Sequence, residues 1–229
     1  MNDLEVNVKS GLIIMAKAPV PGAVKTRLCP PYTFEEAAEL CRCFLLDTFD
    51  LVSRLRRVPV AVAYSPPGAE GIFRSMASPA FHLLPQRGND LGERLNGAFE
   101  QLFALGYEAV VAMGADSPTL PLDYIEQSFA SLASKENDLV LGPSADGGYY
   151  LIGMKAFHPE LFQGVAMGTE RVLSQTLERA RRTNLRVSLL PPWYDVDTQD
   201  DLERLRAELR AAPQVAMHTR AFLSMREVF

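Results

Sequence analysis

The sequence predicts an α/β fold with a mainly parallel central sheet. Three observations carry that reading. Short apolar runs alternate with helical segments of about 10 to 20 residues, the pattern of crossover units. The runs are nearly continuous in apolar residues, as in strands covered on both faces. The chain has 229 residues, 48% hydrophobic and 22% charged, enough to bury a full core.

Gly11–Ala16 (GLIIMA) is a first strand ended by a loop rich in proline and glycine. Residues 34–57 place Leu40, Phe44, Leu45, Phe49 and Val52 at helical spacing. Pro59–Tyr64 reads as a second strand, stopped by Ser65-Pro-Pro-Gly68, and Ala80–Leu84 as a weaker third. Leu91–Leu105 is helical, with Leu91, Leu95, Ala98, Phe99 and Leu102 on one face. Glu108–Met113 is a buried strand, Leu122–Leu132 a helix and Asp138–Leu141 another strand. Tyr149–Met154 comes after a turn, Thr169–Arg182 is a helix, Leu185–Leu190 a strand and Thr198–Ala211 the last helix.

Residues 1–229 read as one domain, with 1–10 as a polar N-terminal extension and 212–229 as a C-terminal appendage. The extension lacks a basic stretch followed by an apolar one, and no apolar run approaches a membrane span. Three cysteines argue against a disulfide scaffold and for a cytoplasmic setting. A net charge of −5 gives no electrostatic footprint for nucleic acid.

In an open parallel sheet, ligands bind beyond the carboxyl ends of the strands, so the loops there matter most. The loop after the first strand, Lys17–Leu28, is stiffened by Pro19 and Pro21, and Gly22 lets the backbone approach a ligand. Lys17, Lys25 and Arg27 add three cations, a combination suited to the phosphates of a nucleotide. The spacing is not that of a P-loop, because Val24 precedes Lys25. The second loop, Gly114–Pro121, holds Asp116 at a strand end, where a carboxylate can hold a divalent cation. Thr119 is the expected cap of the next helix.

The third loop, Gly142–Tyr150, contains Asp146-Gly147-Gly148, which reads equally as a tight hairpin turn or as a loop closing on substrate. In the fourth, Asp195 and Asp197 are two residues apart and share one face of an extended segment. They fit a metal site, while Asp197 or Thr198 also suits an N-cap. Asn89 or Asp90 is expected to cap the helix carrying Arg94. The three histidines lack metal spacing, and Trp193 is expected to pack or to line the site.

Taken together, Met15-Ala-Lys-Ala-Pro-Val-Pro-Gly-Ala-Val-Lys-Thr-Arg-Leu28, Asp90-Leu-Gly-Glu-Arg94, Gly114-Ala-Asp-Ser-Pro118, Asp146-Gly-Gly-Tyr149 and Asp195-Val-Asp-Thr198 resemble the radical-SAM/selenodomain-associated transferase family. That family falls in the nucleotide-diphospho-sugar transferase superfamily, and the match spans about Gly11 to Leu205. The resemblance implies a three-layer, Rossmann-like GT-A fold. It implies nucleotide contacts from Ala16, Lys17, Pro21, Gly22, Lys25, Arg27, Arg94 and Asp116, with Asp116 and Lys25 catalytic. It implies a substrate loop of Asp146, Gly147, Gly148 and Tyr149. Mg²⁺ or Mn²⁺ would be held by Asp116, with Asp197 as second ligand.

Two departures stand out. Asp116 is followed by Ser117-Pro118 rather than completing the Asp-x-Asp pair of glycosyltransferases, and Val165–Glu170 replaces a Trp-Ser-Thr run. The expected activity is a metal-dependent glycosyltransferase with a nucleotide-diphospho-sugar donor. The alternatives are a nucleotidyltransferase joining an NTP to a phosphorylated acceptor and a non-catalytic nucleotide-binding module. The partners are a nucleotide or nucleotide-sugar and an acceptor that the sequence does not identify; it leaves the oligomeric state open.

Overall fold

The computed structural model describes residues 9–226. Among the described residues, seven strands form one sheet: β1 (Ser10–Lys17), β2 (Val60–Ser65), β3 (His82–Pro85), β4 (Ala109–Met113), β5 (Leu139–Pro143), β6 (Tyr149–Met154) and β7 (Val187–Leu189). Their spatial order is β3-β2-β1-β4-β6-β5-β7. Every pairing is parallel except those of β6 with β4 and β5. The helices are α1 (Phe34–Val52), α2 (Glu70–Met76), α3 (Leu91–Ala104), α4 (Leu122–Ala133), α5 (Val172–Arg182), α6 (Gln199–Ala211) and α7 (Met217–Arg226).

The continuous apolar strands are explained by helices on both faces. Leu12 and Ile14 of β1, with Val62 and Val111, pack among α1, α2 and α4 residues such as Leu45, Phe73 and Ile125. Ile13, one residue out of step, joins Val110, Ala112 and Ile152 against Phe99 of α3 and Ala180 of α5. A third cluster lies beyond α1, where Leu40 and Phe44 meet Leu202 and Leu205 of α6 and Leu223 of α7.

The sheet is not wholly parallel because β5 and β6 are joined by a short turn. Ser144 N donates to Gly148 O at 3.0 Å, and Gly148 N to Asp146 Oδ1 at 3.0 Å. Gly147 adopts φ +87°, and a Cβ there would lie 2.2 Å from Glu170 O, so the glycine is sterically required. The Asp146-Gly147-Gly148 segment is therefore the hairpin turn, one of its two expected readings.

Several bounds shift. The helix expected over 34–57 ends at Val52, and Arg57 lies in the left-handed region at φ 61°. The helix expected from Thr169 starts at Val172, because Thr169 Oγ1 instead donates to Ala166 O at 2.8 Å in the preceding turn. α2 and α7 are additions to the expected elements. The expected 1–10 extension falls mostly outside the described residues; within them, Ser10 already pairs in β1 and Lys9 O accepts Glu108 N at 2.8 Å. The 212–229 appendage contains α7, docked on α1 through buried Asp47. Asp47 accepts the His218 and Thr219 amides, each at 2.9 Å, and the Thr219 hydroxyl at 2.6 Å. Asp47 thus caps α7 from a neighbouring helix.

Candidate active site

The β1 loop leaves the sheet at Lys17 and turns back on itself. Lys17 Nζ donates to Ala23 O at 2.6 Å, closing the loop, while Gly22 adopts φ +74° with open space above it. Lys25 adopts φ 48°, ψ 31°, the left-handed region that few non-glycine residues occupy. That turn sends its side chain inward, where it is 4% exposed.

Two carboxylates meet it there. Lys25 Nζ forms an ion pair with Asp116, from the loop after β4, and another with Asp197 at 2.9 Å, from the segment after β7. The carboxylates are 50% and 49% exposed, so each keeps an outer face toward a small cavity of about 180 Å³. Met15, Cys41, Leu45 and Ala115 line it as well, with Lys17, Ala23 and Val24 of the β1 loop. Burial works against the Lys25 charge, but Asp116 and Asp197 outweigh it and hold the ammonium above the usual lysine range. Burial and the charge of Asp116 push the Cys41 thiol up to about 12.

Asp195 lies deeper. Its Oδ1 accepts the Ser117 hydroxyl at 2.7 Å and its Oδ2 the Ser144 hydroxyl at 3.3 Å. Burial, and after it the charge of Asp116, pushes this carboxyl up to about 6. Backbone bonds reinforce the junction: Val196 N donates to Asp116 O at 2.9 Å, and Trp193 N to Pro143 O at 3.0 Å. Three loops distant in sequence are thereby tied around one acidic group.

A divalent cation was expected at Asp116 and Asp197. Among the described residues no three His, Cys, Asp or Glu gather around one point. Two half-exposed carboxylates nevertheless fit Mg²⁺, which commonly takes one or two carboxylates and fills its remaining positions with water and phosphate. The donor set therefore fits, with Lys25 now sharing it.

A model of the family DUF2064, described as uncharacterized proteins conserved in bacteria, matches residues 48–169, more than half of the chain. The chain belongs to the DUF2064 family. It is also 34% identical to a provisionally named nucleotide-diphospho-sugar transferase from Desulfovibrio desulfuricans G20, with 96% of each chain covered and a TM-score of 0.89.

More distant structures share the DUF2064 chain's fold. A CMP:2-keto-3-deoxy-manno-octonic acid synthetase complexed with CTP matches at TM-score 0.58 and 12% identity, over 89% of this chain and 99% of that one. The 4-diphosphocytidyl-2C-methyl-D-erythritol synthase of Anaerococcus prevotii DSM 20548 matches at TM-score 0.58 and 14% identity, with the same coverage. No curated protein matches the sequence. The fold is thus the mixed α/β, mostly parallel sheet of nucleotidyltransferase and GT-A-like neighbours, and the neighbours support a transferase in general.

The structure brings only part of the expected set together. Lys17, Lys25, Asp116 and Asp197 line the cavity, while Ala16, Pro21, Gly22 and Arg27 belong to the strand end and loop beside it. Ala16 is buried, and its carbonyl accepts Gln86 Nε2 at 3.3 Å. Arg94 is not among the cavity residues; its Nε donates to Gly88 O at 3.1 Å in the loop before α3. Asp90 caps α3, with its Oδ1 accepting Glu93 N at 2.9 Å. Asp146, Gly147 and Gly148 form the hairpin, and Tyr149 packs on the α3–α5 side of the core, where burial pushes its hydroxyl up to about 12.

Thr119 does not cap α4, whose N-cap is Pro121, two residues further on; its hydroxyl donates to Glu208 at 3.0 Å. Thr198, rather than Asp197, caps α6, leaving Asp197 for the cavity. Trp193 packs edge-on against Tyr124, with ring centroids 5.6 Å apart. Ser117, Ser144 and Cys41 were not expected at the site. Ser117 adjoins Asp116 within its motif and Ser144 lies in the third of the loops singled out above, whereas nothing in the sequence marks Cys41 as their neighbour. Among the described residues no helix is long and apolar enough to cross a membrane.

Proposed function

We propose that the protein transfers a nucleotidyl group from a nucleoside triphosphate to a small phosphorylated acceptor. The observation that carries this reading is the convergence of Lys25, Asp116 and Asp197 beside the open β1 loop. A phosphoryl centre needs positive charge near its oxygens, and Lys25 and Arg27 supply it from one loop. The acceptor phosphate would attack the α-phosphorus, and pyrophosphate would leave. A divalent cation held by Asp116 and Asp197 would neutralise charge on the bound phosphates.

Sugar transfer, first in the expectation from sequence, becomes the second reading. The glycosyltransferase Asp-x-Asp pair is absent at Asp116; the pair Asp195/Asp197 comes late in the chain, closer to the related nucleotidyltransferases, and its buried Asp195 is engaged by Ser117 and Ser144. The Desulfovibrio desulfuricans relative, named for sugar transfer, keeps that reading in play. The resemblance to the radical-SAM/selenodomain-associated transferases is consistent with both. Three free cysteines suit action in the cytoplasm.

Thermal shifts against NTPs, NDPs and NDP-sugars, each with and without Mn²⁺, test the proposal. A ligand at 100 times its dissociation constant adds about 2.7 kcal/mol, or about 5–10 °C for a chain of this size. An NTP that stabilises more than its NDP-sugar, and only with metal, is the expected result. The reverse order favours sugar transfer, and no shift with any nucleotide removes both.

A further inference from the structure

We infer that Lys25 is a resident counter-ion, which a divalent cation must displace from Asp116 and Asp197 before it can bind. The inference rests on the metal-assisted reading above and concerns how that site is loaded. Its basis is placement. The Lys25 ammonium touches both carboxylates, and its side chain is 4% exposed where theirs are 50% and 49%. It lies 5.4 Å from the centroid of the Phe44 ring, with Cys41 and Leu45 in the same wall.

Two carboxylates and one ammonium leave a single net negative charge. A divalent cation joining them in place would sit against the ammonium at short range in a partly dry pocket, where like charges repel strongly. Removing the ammonium restores a doubly negative pair suited to a hard cation. Lysine has a flexible four-carbon stem, so the same residue can swing toward the phosphates of an arriving nucleotide. Metal and nucleotide then load together, and the free protein holds metal weakly. The left-handed backbone at Lys25 starts the side chain inward, and the neighbouring Gly22 leaves open space on the loop above.

The test measures Mn²⁺ binding to the full chain without nucleotide, from the electron paramagnetic resonance signal of free Mn²⁺. Lys25→Met and Lys25→Gln are expected to bind Mn²⁺ at least about tenfold tighter than the parent, consistent with removal of a contacting charge. Adding Asp116→Asn to Lys25→Met is expected to abolish that gain. Melting curves establish that each variant is folded, and the two substitutions differ enough in polarity that one can fail without removing the test.

A second readout tracks the amine itself. Acetic anhydride should label Lys25 of the parent faster when saturating Mn²⁺ is added alone, because the displaced amine has left its carboxylates, and more slowly again once CTP supplies phosphates to pair with it. Tight Mn²⁺ binding by the parent, unchanged or weakened in both Lys25 variants, overturns the counter-ion role and leaves the metal reading standing. Absence of Mn²⁺ binding in every variant, with or without CTP, overturns both.

Discussion

Two acidic knots hold this molecule together, and they differ in what surrounds the acid. Asp47 joins α1 to α7 and is met by two backbone amides and one hydroxyl. Asp195 joins the loops after β4 and β5 to the segment after β7 and is met by two hydroxyls. Burial raises both carboxyls, but at Asp47 the hydrogen bonds from Thr219 and His218 oppose it, whereas at Asp195 the charge of Asp116 adds to it. A buried acid supplied with amides is a fastening. One packed beside a second acid stores electrostatic tension, kept tolerable by Lys25 close by, and such tension is characteristic of sites that bind or react.

The contrast between the two knots is sharpest at Asp116. Asp116→Asn is expected to lower turnover at least about a hundredfold while lowering the melting temperature by only a few degrees, because Asp197 still pairs the buried Lys25. Steady-state assays of pyrophosphate release, paired with melting curves, check it. Asp47→Ala should show the opposite profile. Losing the acceptor for two amides and a hydroxyl is expected to cost about 3 kcal/mol of stability, with activity per folded molecule retained. Urea denaturation measures it, and an equal loss of activity would place α7 in the site.

Asp195 gives the pH test. Its folded value, about 6, lies above that of an unfolded aspartate. Its contribution is therefore fully present below the unfolded value and is lost as pH rises through about 6. Scans from pH 4 to pH 8 should show Asp195→Asn gaining on the parent across that window, by about 2 kcal/mol after allowance for partial solvent screening. A pH-independent gap would mean that Asp195 is fully compensated, like a fastening. Glu178 sets the baseline. It pairs with Arg181 and Arg182 at 3.0 and 2.9 Å on the open surface. Glu178→Ala should move the melting temperature by less than about 1 °C in a thermal scan.

The fold was largely legible because its strands are buried on both faces, which leaves unbroken runs such as Leu12–Met15. α2 escaped because seven residues carry too little periodicity, and α7 because its docking depends on Asp47, 171 positions before His218 in the chain. The site was half legible. Local motifs singled out Lys25, Asp116 and Asp197: proline and glycine mark the loops of the first two, and an i, i+2 pair of acids marks the third. Their mutual pairing was not legible, because Lys25 and Asp197 are 172 positions apart and meet only through sheet topology. Arg94 shows the converse: it ends a marked motif in sequence, but it does not line the cavity and its Nε donates to the Gly88 carbonyl.

The late position of the acidic segment has a consequence for synthesis. All seven strands precede Asp195 and Asp197 along the chain. A polypeptide emerges from the ribosome N-terminus first, at roughly 5–20 residues per second. Every strand is therefore translated while Lys25 and Asp116 still lack their third partner, so the residues of the sheet are all made before the acid that completes the site.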